Sequence, residues 1–237
     1  DYAADTLTIS AATGVTLYGD VTTTAGTADI DFTNVPDGDT ITLAANASLT
    51  AGRDVVTAGE NINGAFTLAV TDGGGGANTI TLQGAGNTTA LAGLTVTADD
   101  VSLNDIVRVD AATGDVAFYT TGGARTIGLG TGAGVFLLSA AELAFITQAD
   151  KIIIGEPGVQ TADVSATGAD VSLSGVGTGG DADSSSLQIH TSGDLVLAGT
   201  PAIQTNGRDV VLGGVDDGSA TTTDVILTAN TSIDTDS

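Results

Sequence analysis

The sequence predicts an all-β chain wound as a parallel β-solenoid, and three observations carry that expectation. Short runs alternate apolar and polar residues with period two, the signature of strands with one buried face. Runs of one polarity recur: Asp194-Leu195-Val196-Leu197, Asp209-Val210-Val211-Leu212 and Asp224-Val225-Ile226-Leu227 stand 15 positions apart. The 237 residues include 34 Gly and 39 Thr but no Trp, Cys or Met. That composition suits a thin coil with tight corners better than a sandwich centred on an aromatic or a disulfide. β-Sandwich repeats are the alternative architecture.

Along the chain, the strands are Thr6-Leu7-Thr8-Ile9, Thr40-Ile41-Thr42-Leu43, Thr79-Ile80-Thr81-Leu82, Asp100-Val101-Ser102-Leu103 and Asp170-Val171-Ser172-Leu173. In each the second and fourth side chains point inward and the Thr, Ser or Asp faces water. Asp39 to Asp54 and Asp100 to Asp115 repeat the 15-residue step, and Ala202-Ile203-Gln204-Thr205 and Thr231-Ser232-Ile233-Asp234 are shorter runs with one inward Ile. Leu43 to Leu49 and Leu227 to Ile233 match most closely, which is degenerate internal repetition. At ~20 to 24 residues per coil, the chain makes about ten to twelve coils and a rod of roughly 50 Å, its narrow core filled without large aromatics. Gly and Asn serve the corners, where the backbone needs φ > 0.

One stretch departs from this rhythm. Ser139 precedes Glu142 by three positions in the pattern of a capping box, with Leu138 and Leu143 placed as a hydrophobic staple. The expected helix runs from Ala140 to about Gln148, a short helical insertion near 140–148. Strand then resumes at Lys151-Ile152-Ile153-Ile154-Gly155, and Pro157 ends it.

The run Leu138-Ser139-Ala140-Ala141-Glu142-Leu143, then Ile146 and a strand ending Ile152-Ile153-Ile154-Gly155, resembles a segment of very large bacterial filamentous-haemagglutinin-like proteins. The Gly-x-Asp-Val strands at Gly52 to Val55 and Gly207 to Leu212 are similar to that family too. The resemblance implies a single right-handed parallel β-helix in a secreted or surface-displayed protein, with adhesive or stalk functions and no catalytic residues. The family's amino-terminal secretion domain and regular 19-residue repeats are not evident in this sequence.

Charge narrows the partners. Twenty-nine acids against five Lys and Arg give a net charge of -24, and the cations are scattered. No patch is available to neutralise a phosphate backbone or an anionic membrane, so nucleic acid and membrane insertion are excluded. No run approaches the ~18 apolar residues of a spanning helix. Without Cys, and with His190 alone, thiolate zinc sites and imidazole clusters cannot be built.

The acids are the candidates for chemistry. Asp29/Asp31, Asp181/Asp183 and Asp234/Asp236 place two carboxylates on one face of an extended strand, and Asp216-Asp217-Gly218 reads as a loop. Calcium takes six to eight oxygens, and Asp181, Asp183, Asp216 and Asp217 are the candidate ligands. The Gly-rich segment Gly73 to Ile80 comes close to one copy of a calcium-binding nonapeptide. The competing reading makes each Asp a strand-start or turn residue that accepts nearby backbone N–H groups. Asp99-Asp100 is suggestive of the paired acids of a polysaccharide hydrolase or lyase. With so few aromatics and cations to bind a sugar, no enzymatic activity and no cofactor other than calcium are expected. The Thr-x-Thr starts at Thr6, Thr40, Thr79 and Thr95 are too irregularly spaced for an ice-binding array. His190 alternates away from the core, and Arg53 and Arg208 each precede an Asp-Val strand, placed to pair with acids on an adjacent coil.

The sequence opens at Asp1 without Met and shows strand pattern from Thr6; it closes on Ser232-Ile233-Asp234-Thr235, a half-motif that elsewhere leads into another strand. Residues 1–237 therefore read as one solenoid segment, a unit or excerpt of a longer array. The expected function is a non-enzymatic structural segment of an extracellular fibre or bacterial cell-surface stalk whose partners are copies of itself. Two alternatives remain open: an adhesin module that contacts a host or neighbouring-cell surface through loops such as Gly73 to Gly76 and Gly177 to Ser186, and calcium-dependent surface-layer or matrix assembly.

Overall fold

The computed structural model describes residues 6–24, 26–36, 38–57, 59–74, 77–171, 186–205, 209–213, 225–227 and 231–234. The chain is all-β, and every strand pairing among these residues is parallel. It begins with regular three-strand levels: β1 (Thr6–Ser10), β2 (Val15–Leu17) and β3 (Val21–Thr22), then β4 (Asp29–Asn34), β5 (Thr40–Leu43) and β6 (Ala47–Thr50). The third is β7 (Val55–Val56), β8 (Asn61–Asn63) and β9 (Thr67–Thr71), and the fourth β10 (Thr79–Leu82), β11 (Gly84–Ala85) and β12 (Gly93–Ala98). The fifth is β13 (Asp100–Leu103), β14 (Val107–Arg108) and β15 (Asp115–Thr120). Then come β16 (Ile127–Gly130), β17 (Phe136–Leu138), α1 (Ala140–Phe145), β18 (Ile146–Gln148), β19 (Lys151–Ile154) and β20 (Val164–Asp170). The last are β21 (Ser186–His190), β22 (Leu195–Gln204), β23 (Asp209–Gly213), β24 (Val225–Leu227) and β25 (Ile233–Asp234).

Strands of equal rank in each level pair with one another. The first sheet runs β1-β4-β7-β10-β13, the second β2-β5-β8-β11-β14-β18, and the third runs from β3 through β6, β9, β12, β15, β19 and β21 to β23. A fourth, β17-β16-β20-β22-β24, starts within the insertion, with β25 paired to β22. The 15-residue step carries the chain between sheets rather than between levels: Asp194 leads into β22 of the fourth sheet and Asp209 opens β23 of the third.

The period-two pattern is buried as its spacing requires. Ile41 and Leu43, Ile80 and Leu82, and Val101 and Leu103 are all buried, with half-buried or exposed residues between them. In the first level the pattern holds, but of its inward apolar residues only Leu17 is buried. Leu7, Ile9, Val15 and Val21 are only half-buried, whereas Ile30, Ile41 and Leu49 one level on are fully enclosed.

Three expectations need correction. The longest sheet among the described residues has eight strands, which at ~4.8 Å spacing span about 34 Å rather than 50 Å. The cause is level length. Thr79 pairs with Asp100, 21 positions on, but Val116 pairs with Ile152, 36 positions on, because the segment holding β16, β17 and α1 is inserted there. Aromatics also enter the core: Phe32 in the second level is fully buried, as are Phe118 and Phe136 at the insertion, whose ring centroids lie 6.4 Å apart at 59°. The helix ends at Phe145, short of Gln148, since Ile146 turns extended (φ -77°, ψ 95°) to pair with Val107 in the second sheet.

The capping box forms as expected and does more than cap. Glu142 Oε2 accepts from the Ser139 N–H at 2.9 Å and its hydroxyl at 2.7 Å, while Ser139 Oγ accepts from the Glu142 N–H. The other carboxylate oxygen, Oε1, accepts from the Leu103 N–H at 3.2 Å, tying the helix to the last strand of the first sheet. Glu142→Ala removes all three bonds and is expected to cost about 2 kcal/mol, with Glu142→Gln costing less than half of that. Equal losses in urea melts of the two variants would contradict the assignment.

Glycine is required where levels touch. Gly123 has φ +70°, and a Cβ there would lie 2.0 Å from the carbonyl oxygen of Val159. Its own carbonyl accepts from the Thr161 and Ala162 N–H groups, fixing the corner after β15.

Candidate assembly interface

The acids at strand starts work between levels. Asp29 Oδ1 accepts from the Asp54 N–H at 3.2 Å, and Asp54 Oδ1 accepts from the Thr79 N–H at 2.8 Å. Asp163 Oδ1 accepts from the Asp194 N–H at 2.8 Å, and Asp100 Oδ1 from the Leu137 N–H at 3.1 Å. Asp20, Asn46, Thr57 and Asn63 accept from the Ser48, Thr67, Gln83 and Thr88 N–H groups in the same way. The competing reading of these acids thus gains a longer reach: the partner is the N–H one level on, 21 to 37 positions away. Local turns are a minority use, as where Asp31 accepts from the Thr33 N–H and Asp110 from those of Ala112 and Thr113.

A second feature has no simple sequence signal. Buried polar residues lie at or beyond the ends of most strands of the third sheet: Thr23, Asp72, Asp99, Thr120, Gln160 and Thr191, none more than 4 % exposed, with Ala51 taking the place in the second level. Asp72 accepts from the Asp99 N–H at 2.7 Å, the Gly74 N–H at 2.9 Å and the Thr121 hydroxyl at 2.9 Å. Asp99 meets Arg125 Nη2 at 2.7 Å. The Thr120 hydroxyl donates to Gln160 Oε1, Gln160 Nε2 donates to the Arg125 and Ala162 carbonyls, and the Thr191 hydroxyl donates to Ala162 as well. This spine runs along the stack and pins successive corners. Only the 27-position step from Asp72 to Asp99, close to one level, could have drawn attention to it in the sequence.

The structure separates the predicted sites. Asp99 is buried against Arg125 and Asp100 holds Leu137, so the adjacent acids share no cleft. Asp29 pairs with Arg53, as placed, while Asp31 serves its own turn. Asp181, Asp183, Asp216 and Asp217, the candidate calcium ligands, lie outside the described residues, as do Arg208, Asp236 and most of the loop from Gly177 to Ser186. Among the described residues no three carboxylate or imidazole groups gather to hold a cation, and no helix is long and apolar enough to cross a membrane. An open groove of ≈ 350 Å³ on the third sheet, lined by Thr67, Ala69, Gly93, Thr95, Thr113 and Asp115, contains one carboxylate.

Two kinds of carboxyl titrate in opposite senses. Burial pushes Asp29 up, but the Arg53 guanidinium and the Asp54 N–H outweigh it and hold the group below its ordinary 3.8. The Ala112 N–H, with the Thr113 hydroxyl and N–H, does the same for Asp110. Burial raises Asp72, against three donated bonds. A lowered carboxyl stabilises the fold fully above its unfolded value and loses that contribution as pH falls through the folded one; a raised carboxyl does the reverse. Asp29→Asn is therefore expected to flatten the loss of Tm below pH ~4, whereas Asp72→Asn leaves that limb intact. A Tm profile below pH ~4 that Asp29→Asn does not change would contradict this.

Among the described residues β3 and β23 are the outermost strands of the third sheet, each with a paired neighbour on one side. A parallel strand bonds alternately to both sides, so an outermost strand presents a row of backbone groups to a further strand. No family model, curated protein or solved structure matches this chain.

Proposed function

We propose that the chain is a single right-handed parallel β-helix serving as a non-enzymatic structural segment of an extracellular fibre or bacterial cell-surface stalk. It extends end to end through its sheet edges, either to further levels of the same polypeptide or to another copy. The observation that carries this reading is the third sheet, an eight-stranded parallel ladder running from β3 to β23, whose two outermost strands are each paired on one side among the described residues. Two further features support it. Polar side chains that an enzyme would gather into a cleft are spent on bonds between levels. The half-buried Leu7, Ile9, Val15 and Val21 of the first level would be enclosed by a stacked neighbour, as their counterparts are one level on. The resemblance to filamentous-haemagglutinin-like proteins points the same way.

A charge of -24 disfavours sideways contact at low salt, where screening is weak, and leaves growth along the axis least opposed. Electron microscopy of the purified chain at rising concentration tests the proposal. Unbranched filaments one rod wide are expected, with side-by-side bundling as salt is raised. Particles that stay single at every concentration would overturn the non-covalent form of it.

A further inference from the structure

The bonds between levels have a direction. In a recurring set of bonds a side-chain oxygen accepts a main-chain N–H from another level, with the acceptor on the earlier level and the donor on the later one: Asp20 and Ser48, Asp29 and Asp54, Asn46 and Thr67, Asn63 and Thr88, Asp72 and Asp99, Asp163 and Asp194. Glu142, on the inserted helix, runs the other way. Side-chain donors run both ways: Gln148, Gln160 and Thr191 donate back to carbonyls of Val109, Arg125 and Ala162, whereas Thr6, Thr57 and Thr131 donate forward to Asp29, Thr81 and Thr167. The polarity therefore lies in the side-chain acceptors, which each level offers to main-chain N–H groups toward the carboxyl-terminal end of the stack. The two end faces are unlike in that respect.

Resting on the end-to-end reading above, we propose that copies of this chain join head to tail only, with β3 of one copy continuing the third sheet past β23 of the next. Asp209, exposed at the start of β23, takes at that junction the part that Asn46 plays toward Thr67 in the same sheet row. It accepts an N–H from the segment leading into the partner copy's β3. The opposite joins are disfavoured. Head-to-head contact makes strands antiparallel and brings no side-chain acceptor to the opposing N–H groups, and tail-to-tail contact brings like carboxylates together. A heterologous contact of this kind does not close on itself, so it yields an open filament instead of a dimer.

Because the chain has no Cys, single thiols report the join. Thr22 and Val211 stand on the outward face of β3 and β23, as their pairings with Thr50 and Gln188 place them. At a concentration where the unmodified chain forms filaments, a short bis-maleimide is expected to link Thr22→Cys to Val211→Cys in an equimolar mixture. Either variant alone should give no more than background. Asp209→Ala is expected to raise the concentration needed for assembly about tenfold, and Asp209→Asn, which keeps an acceptor, much less. Efficient linking of one variant to itself would overturn the polarity while leaving end-to-end assembly in place. Absence of assembly in the unmodified chain would overturn the underlying reading as well.

Discussion

Arg125→Ala is expected to cost about 3 kcal/mol, more than the loss of a surface ion pair. Its partner Asp99 is 1 % exposed, so the carboxylate left behind cannot recover water in place of the guanidinium 2.7 Å away. The Arg125 side chain is itself 26 % exposed, which sets the cost at the lower end of the range for a broken buried pair. The effect should spread through the spine, because Asp99 donates its N–H to Asp72 and the Arg125 carbonyl holds Gln160. Adding Asp99→Asn to Arg125→Ala neutralises the stranded charge and is expected to restore more than half of the loss. Chemical denaturation of the two single variants and the double variant measures this. A cost below 1 kcal/mol for Arg125→Ala would mean that the pair does not anchor the stack.

Phe118→Ala is expected to cost about 4 kcal/mol, the range for emptying a large buried site. Phe118 lies where the chain passes from the regular three-strand levels to the longer ones, against the ring of Phe136 from the insertion. The first five levels are filled mainly by Val, Leu, Ile and Ala, with Phe32 a buried ring in the second. At the 36-position level two rings pack together. Phe118→Leu keeps most of the volume and should cost about 1 kcal/mol. If thermal melts placed the Ala variant within 1 kcal/mol of the parent, the insertion would not be packed onto the stack through these rings.

The strands and their inward faces were legible in the sequence because period two is a local property: Ile41 and Leu43, or Ile80 and Leu82, declare their side of the sheet within four residues. The start of α1 was equally legible, since Ser139 and Glu142 satisfy each other within one turn. Its end was not, because Ile146 leaves the helix for a partner, Val107, 39 positions away. The same holds for the acids. Asp29, Asp54 and Asp163 were identifiable as strand-start residues, but their partners lie one level on, and that distance depends on how many residues each level holds. The spine of Asp72, Asp99, Thr120, Gln160 and Thr191 is harder still. Its members share a corner only after level lengths of 21 to 36 residues have been laid down, and no fixed period links them.

Amide hydrogen exchange, followed as concentration is raised, tests most directly whether this stack grows through its edges. The amides of interior strands such as β9, β12 and β15 are bonded on both sides at every concentration and should exchange slowly throughout. β3 and β23 should exchange faster when dilute and become protected together, at the same concentration, as filaments form. Protection that appeared on the faces of the sheets, or at neither edge while particles grew, would contradict end-to-end extension.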